Sequence, residues 1–532
     1  MSSWTQTGLQ PHRIFHRPLG VNECGFLYDS KLNGTADTFG HSTLHASNPS
    51  IFTLLNVSRA YRLMKRRFPL LAATIDFQDA EPRFSVYEER LDALSFPGEV
   101  TVSSVDSADA AQALAQSTIA HGKRQLSDQL LARILVLSRT DEPHTGHCIV
   151  NFAHIINDGV STGNFLNAFL ELLATDESGP PPPDIETRLA LSVSAESLVP
   201  VRFSVPRQRW RRAAGKIVSQ IQDAKRQGGQ TLPRRFGYIA CSIPARSGLV
   251  HVRFSREQTS LLLQSCRKHR LTVGNVLPVL AQISLARLLC RRFLRGEISA
   301  EEWEFRRRQP SHTAGPINLR PYLDRKWFEA GGSDNVSVYI GYFYFTSGFT
   351  PLPRLQPGDA LPGVTDIMST GRFLLRCNKM KDLAAKYLRH PLFFEIGEAR
   401  LMNKVVRLRE LVKRETAPSA TEVEQHNVSP MEQADYGTVM SHGWSTFGNT
   451  KMKKEYPSSK PGAATLTLVN HNGQLHCRTG ELYLGSGSSD GQLFILVYYD
   501  TNVFADEVVQ EWLTGIEEAA SLYLADNVLS KL

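Results

Sequence analysis

The segment Ala153-His154-Ile155-Ile156-Asn157-Asp158-Gly159 brings together an imidazole, a carboxylate four positions later and a glycine. Imidazole titrates near neutrality, so a histidine held at a ligand site can take a proton from a hydroxyl at working pH. Such a base contributes roughly 10²–10⁴-fold to rate. Asp158 stands where a following helix begins. There it is better placed to brace the loop than to share the proton, and a buried carboxylate needs a cationic partner. Gly159 lets the backbone approach a ligand closely, and the first amides of the helix are oriented toward a developing oxyanion. On these residues alone, a core histidine beside a turn aspartate is the competing reading.

The elements that must position this segment are legible on both sides of it. Cys148-Ile149-Val150-Asn151-Phe152 reads as a buried strand running straight into His154. After Asp158 the pattern becomes helical, with Phe165, Leu166, Phe169, Leu172 and Leu173 on one side. Upstream, Ile51 to Lys65 predicts a helix, and Phe68–Ile75 and Ala132–Leu137 predict strands. The run Gly179-Pro180-Pro181-Pro182-Pro183 ends the helical pattern. A basic stretch from Val201 to Arg235, with Arg211-Arg212 and Lys225-Arg226, reads as a surface helix on a crossover. A solvated face is preferred there to a membrane or phosphate contact.

The second half opens with strand Val250–Phe254. A helix follows through Leu289, with Asn275 as its N-cap and Pro278 in its first turn. Val336–Phe345 is strand-like, Asp366–Lys413 helical, and Thr416–Asn427 a polar loop. Asn472-Gly473, between Thr465–Val469 and Gln474–Tyr483, predicts a type I′ hairpin. Leu493–Tyr499 is a strand, and a last helix spans Asp506 to Ala525.

His-x-x-x-Asp-Gly between an apolar strand and an amphipathic helix resembles the CoA-dependent acyltransferase superfamily. That group includes plant BAHD acyltransferases, peptide-synthetase condensation domains and fungal alcohol O-acyltransferases. Arg67-Phe68-Pro69-Leu70-Leu71 is similar to the family's early His-Pro-x-Leu entry, with Phe68 replacing the histidine. Ile317-Asn318-Leu319-Arg320-Pro321-Tyr322-Leu323 is similar to its Val-Asn-Leu-Arg-Pro-x-Leu segment. The resemblance implies an α/β fold of two chloramphenicol-acetyltransferase-like subdomains with the active-site channel between them. It implies His154 as general base, Asp158 as a structural residue and Arg320 as the partner of Asp158 across the two halves. Ala153 stands where condensation domains carry a second histidine, and the Asp-Phe-Gly-Trp-Gly of plant enzymes is absent, Met440–Gly448 occupying its region. The implied division is 1–190 as N-terminal subdomain, 191–235 as basic linker and 236–532 as C-terminal subdomain.

Acyl-CoA is then the expected co-substrate, no cofactor being permanently bound, and the acceptor carries a hydroxyl. The chain is most similar in type to fungal mannosylerythritol lipid acyltransferases, which implies short- or medium-chain transfer to a glycolipid. Trichothecene-type O-acetyltransferases imply a terpenoid alcohol instead. A non-catalytic acyl-CoA or lipid-binding protein on this fold is the reading from another class. The ending Ser530-Lys531-Leu532 is the tripeptide that a peroxisomal import receptor reads, so that compartment is expected.

Composition narrows the remaining classes. A formal net charge of +8 without any basic tract interleaved with aromatics argues against nucleic acid. Seven scattered cysteines without a Cys-x-x-Cys pair read as reduced thiols. His12/His16 and His41/His45 lack the glutamate of a zinc helix, so no metal is expected, and Gly485–Gly491, which lacks the Lys-Ser/Thr ending of a phosphate loop, reads as a loose, flexible strand connection. No apolar run has the length a bilayer requires, and a monomer is expected.

Overall fold

The structure, a computed structural model, describes residues 4–10, 12–120, 124–175, 182–200, 203–235, 244–348, 350, 352, 354–415, 439–449, 452–457 and 465–525. Three features read from the sequence lie outside them in whole or in part: the proline run from Gly179, the loop Thr416–Asn427 and the terminal Ser530-Lys531-Leu532.

Two six-stranded sheets, each with its own apolar core, carry the α/β architecture. The first has the order Glu455–Tyr456, Leu466–Leu475, Thr38–Ala46, Thr145–Phe152, Ala132–Arg139 and Val100–Val105. Thr145–Phe152 lies inside this sheet and is buried at every position. That explains its near-continuous apolar reading. Helices Leu54–Arg67 and Gly159–Leu173 supply Val57, Tyr61, Phe165 and Phe169 to the same core. A separate four-stranded antiparallel sheet joins Thr5–Thr7, Ile14–Pro18, Glu81–Tyr87 and Ala73–Gln78.

The second large sheet has the order Ile340–Ser347, Ser311–Asn318, His442–Asn449, Leu482–Ser489, Gln492–Asp500 and Ser247–Arg253. Helix Val273–Leu294 runs through its core, buried nearly all round. Among the described residues it is the one helix long and apolar enough to cross a membrane, but most of it is enclosed by protein. Apolarity on every side is what a core helix requires.

The two halves interlock. Strand Leu466–Leu475, late in the chain, pairs antiparallel with Thr38–Ala46 and so completes the N-terminal sheet. This overturns the hairpin expected at Asn472-Gly473, where the strand runs straight through, Gly473 facing Gly40 across the ladder. The type I′ turn falls instead at Asp490-Gly491, with φ of 55° and 74°, between the paired residues Ser489 and Gln492. Gly485–Ser489, expected as a loose connection, is therefore strand.

Three smaller expectations also shift. Phe68–Ile75 is not one strand, because Pro69 opens a 3₁₀ turn, Pro69–Ala72, before the strand starts at Ala73. Thr272, not Asn275, caps the long helix: its hydroxyl accepts from the Asn275 amide, and the Asn275 side chain returns a bond to the cap. Pro278 then sits inside the helix rather than in its first turn.

Gly491→Val should destabilise the protein by about 1–2 kcal/mol, because a left-handed turn position rejects a Cβ-branched residue. Gly473→Val, on extended and open strand, should cost less than about 0.5 kcal/mol. Urea unfolding midpoints of the two variants decide between the two turn positions.

Candidate active site

Strand Thr145–Phe152 ends at a loop that the fold pins from three directions. The Ala153 amide donates to the Leu131 carbonyl at 2.9 Å, extending the sheet one residue further. Asn157 then donates through Nδ2 to Thr38 Oγ1 (3.0 Å) and Thr162 Oγ1 (2.8 Å). Asp158 is the N-cap of helix Gly159–Leu173, accepting from the amides of Val160 (3.1 Å) and Ser161 (2.9 Å).

The same carboxylate receives Arg320 as a fork, Nη1 to Oδ2 at 2.9 Å and Nη2 to Oδ1 at 3.1 Å. The Tyr339 amide adds a further bond at 2.8 Å. Asp158 is 1% exposed and Arg320 2%. Burial alone would raise the Asp158 pKa, but Arg320 and the backbone donors outweigh it and the net shift is downward. Arg320 also donates to Ser161 Oγ at 2.9 Å, and Ser161 in turn donates to the Ser337 carbonyl at 2.5 Å. The helix start in one half is thereby fastened to the Arg320 turn and the chain entering strand Ile340–Ser347 in the other.

His154 lines a cavity of about 1640 Å³ between the halves. Its ring stacks on Phe26, centroids 3.9 Å apart and planes at 11°. Its Nδ1 is enclosed without a hydrogen-bond partner, leaving Nε2 as the nitrogen open to the cavity. Burial lowers its pKa to about 4, and Arg478 pushes the same way; its own carbonyl and Asp158 oppose the shift without reversing it. The ring is thus neutral, the form a base requires, across ordinary working pH.

Beneath Phe26 lies a charged cluster that the sequence did not announce. Asp29 accepts from Lys404 Nζ at 2.7 Å and from Arg478 Nη2 at 2.9 Å, and Arg478 Nη1 donates to Glu481 at 3.0 Å. Burial works against the Asp29 carboxylate, yet the two cations bring its pKa down to about 2. The Lys404 ammonium lies 5.3 Å from the Phe26 ring centroid. These residues come from three separated stretches, around Asp29, Lys404 and Arg478–Glu481, and no local spacing links one stretch to another. The nearest signal was the set of polar residues Asn22, Glu23 and Asp29 buried in helix Val21–Lys31. Asn22 Nδ2 reaches across to the Ile340 carbonyl at 2.8 Å, while Glu23 pairs with buried Arg17 at 2.7 Å.

Gly159 is not brought into the cavity wall. It is exposed, and a Cβ there would sit 3.8 Å from the Phe447 ring. Since Asp158 occupies the Val160 and Ser161 amides, little of this helix N-terminus remains for an oxyanion. From the Met440–Gly448 stretch, Met440, His442 and Gly443 do line the cavity. His442 is closed off, its Nδ1 bound to the Gly443 carbonyl at 3.0 Å and its Nε2 enclosed without a partner.

The His12/His16 and His41/His45 pairs are not on helices: His16, His41 and His45 stand on strands. Among the described residues no group of His, Cys, Asp or Glu is arranged to hold a metal ion. Among the described residues that line the cavity there is neither a serine nor a cysteine.

Two α/β halves enclosing a site at their junction define the fold shared by acyltransferases and condensation domains. The chain is similar to the solved trichothecene 15-O-acetyltransferase from Fusarium sporotrichioides, with a TM-score of 0.68 and 12% identity over 98% of each chain. It is similar also to the first condensation domain of the calcium-dependent antibiotic synthetase (0.61, 12% identity, 98% of this chain and 97% of that one). The condensation domain of the monacolin K polyketide synthase gives 0.58 at 12% identity, over 96% of this chain and 98% of that one. Identity this low carries the fold alone. No protein-family model matches the sequence, and neither does any curated protein.

Arg320→Met should destabilise the protein by about 3–5 kcal/mol, because it strands a buried carboxylate. Adding Asp158→Asn should recover part of that loss, since no charge is then left unpaired. The pH dependence has a definite sign. Asp158 has its folded pKa below its unfolded value, so its contribution is full above the usual carboxylate range and is lost as pH falls through the folded value. The double variant should therefore lose less stability on acidification than the parent, as read from thermal melts across pH.

Proposed function

We propose that the chain is an acyl-CoA-dependent O-acyltransferase in which His154 is the general base. The observation that carries this reading is the placement of His154: a neutral imidazole with one nitrogen open to the inter-half cavity, on a loop locked by Asp158 and Arg320. A cavity of about 1640 Å³ exceeds the usual single-ligand pocket of roughly 300–1,000 Å³, which suits two substrates meeting there.

Nε2 of His154 takes the hydroxyl proton as the acceptor oxygen attacks the thioester carbonyl carbon. The tetrahedral intermediate collapses with cleavage of the C–S bond, and the departing CoA thiolate takes the proton from the imidazolium. Among the described residues that line the cavity none is a serine or cysteine, which supports direct transfer over an acyl-enzyme. Asp158 and Arg320 act at one remove, by holding the loop.

For the acceptor, the resemblance to mannosylerythritol lipid acyltransferases supports a glycolipid hydroxyl and a short- or medium-chain acyl group. The likeness to the trichothecene 15-O-acetyltransferase, at a TM-score of 0.68, favours a terpenoid alcohol as the second reading.

Incubation of the purified protein with a panel of acyl-CoAs and with glycolipid and terpenoid acceptors should yield thiol release and an acylated product by mass spectrometry. His154→Ala should reduce the rate roughly 10²–10⁴-fold. Unchanged turnover in that variant removes His154 as the base, and acyl-CoA binding without thiol release by the parent leaves a binding protein. In kcat/KM against pH, the acid limb should follow the depressed imidazole, with an apparent pKa of about 4 rather than 6.5.

A further inference from the structure

Helix Val205–Ala224 turns the wrong side outward for an ordinary surface helix. It packs against Phe393–Glu415, and the positions it presents there are polar or small. Arg211 donates to Glu395 at 2.5 Å. Gly215 lies so close to Glu395 that a Cβ would come within 2.7 Å of its side chain. Gln222 accepts from Arg400 at 2.6 Å. The outward positions carry the large apolar residues: Trp210 is 67% exposed, Ile217 56% and Ile221 51%. Spacings of seven and four put these three on one face.

Charge flanks that stripe. Arg207, Arg209 and Lys216 occupy exposed positions of the same helix beside it, while Arg212 lies on the packed side, 3.7 Å from Glu398. Its one acid, Asp223, accepts from Arg400 on the packed side at 3.3 Å. An apolar stripe with tryptophan, bordered by cations, matches a surface whose interior is apolar and whose rim is anionic. A second copy of the chain would set the same cations against each other in a two-fold contact. A nucleic acid would leave Ile217 and Ile221 without a partner.

We propose that the outer face of Val205–Ala224 docks the protein on an anionic lipid surface, with Trp210, Ile217 and Ile221 entering the headgroup boundary. Gln208, Arg211, Arg212 and Asp223, on the other face of the same helix, line the cavity.

The test is co-sedimentation of the full chain with phosphatidylcholine vesicles, pure or mixed with phosphatidylserine. Binding is expected with the mixed vesicles and should weaken as salt rises. Arg209→Ala and Lys216→Ala should each lower affinity roughly fivefold. Ile217→Ser with Ile221→Ser should lower it at least about tenfold. All of these side chains are exposed, so thermal melting should be unchanged. Equal binding to pure phosphatidylcholine, or undiminished binding by the variants, overturns the proposal. So does a dimer in sedimentation velocity that Ile217→Ser/Ile221→Ser disperses, which would assign the stripe to a second copy. Because the readout is binding, failure of acyl transfer and failure of docking are told apart.

Discussion

The ion pair between Asp158 and Arg320 is the contact on which the site depends. Two charges removed from water are tolerable only when their remaining hydrogen-bonding capacity is satisfied. Asp158 meets that condition: two guanidinium nitrogens and the amides of Val160, Ser161 and Tyr339 all donate to it. These donors come from both halves of the molecule. The carboxylate is therefore comfortable only when the halves are docked, and the loop bearing His154 takes its shape from the same event.

A different balance governs His154. Its neutrality comes from enclosure by protein, with Phe26 stacked on the ring and Arg478 discouraging a second proton. Asp29 takes up the charge of Lys404 and Arg478 through direct hydrogen bonds. The cavity floor thus holds cations close to a neutral imidazole without leaving them uncompensated. Lys404 belongs to Phe393–Glu415, the helix that also carries Val205–Ala224 on its outer side. Cavity floor and outer surface are in this way two sides of one layer.

The halves are joined covalently in one order and spatially in another. Leu466–Leu475 leaves the C-terminal sheet region to complete the N-terminal one, and the chain then returns to form Leu482–Ser489 and Gln492–Asp500. A cut at the basic crossover would leave the first sheet without this strand. The cavity wall likewise draws on both halves, from Asn22 and Phe26 to Tyr342 and Arg478.

The sequence by itself determined the local elements and the chemical vocabulary of the site. The buried strand into His154, the helix after Asp158, the strand Leu493–Tyr499 and the terminal helix follow from periodicity, which acts over a few residues. Arg320 as partner of Asp158 came from a resemblance, since nothing local links positions 162 residues apart. Tertiary structure alone decided what depends on distant packing. Asn472-Gly473 has the composition of a turn, yet pairing with Thr38–Ala46 draws it into a strand, while Asp490-Gly491 takes the turn because its neighbours pair with each other. The Phe26, Lys404 and Arg478 surroundings of His154 were equally invisible. Each side chain is ordinary in its own segment and acquires its role only when the two halves close around the cavity.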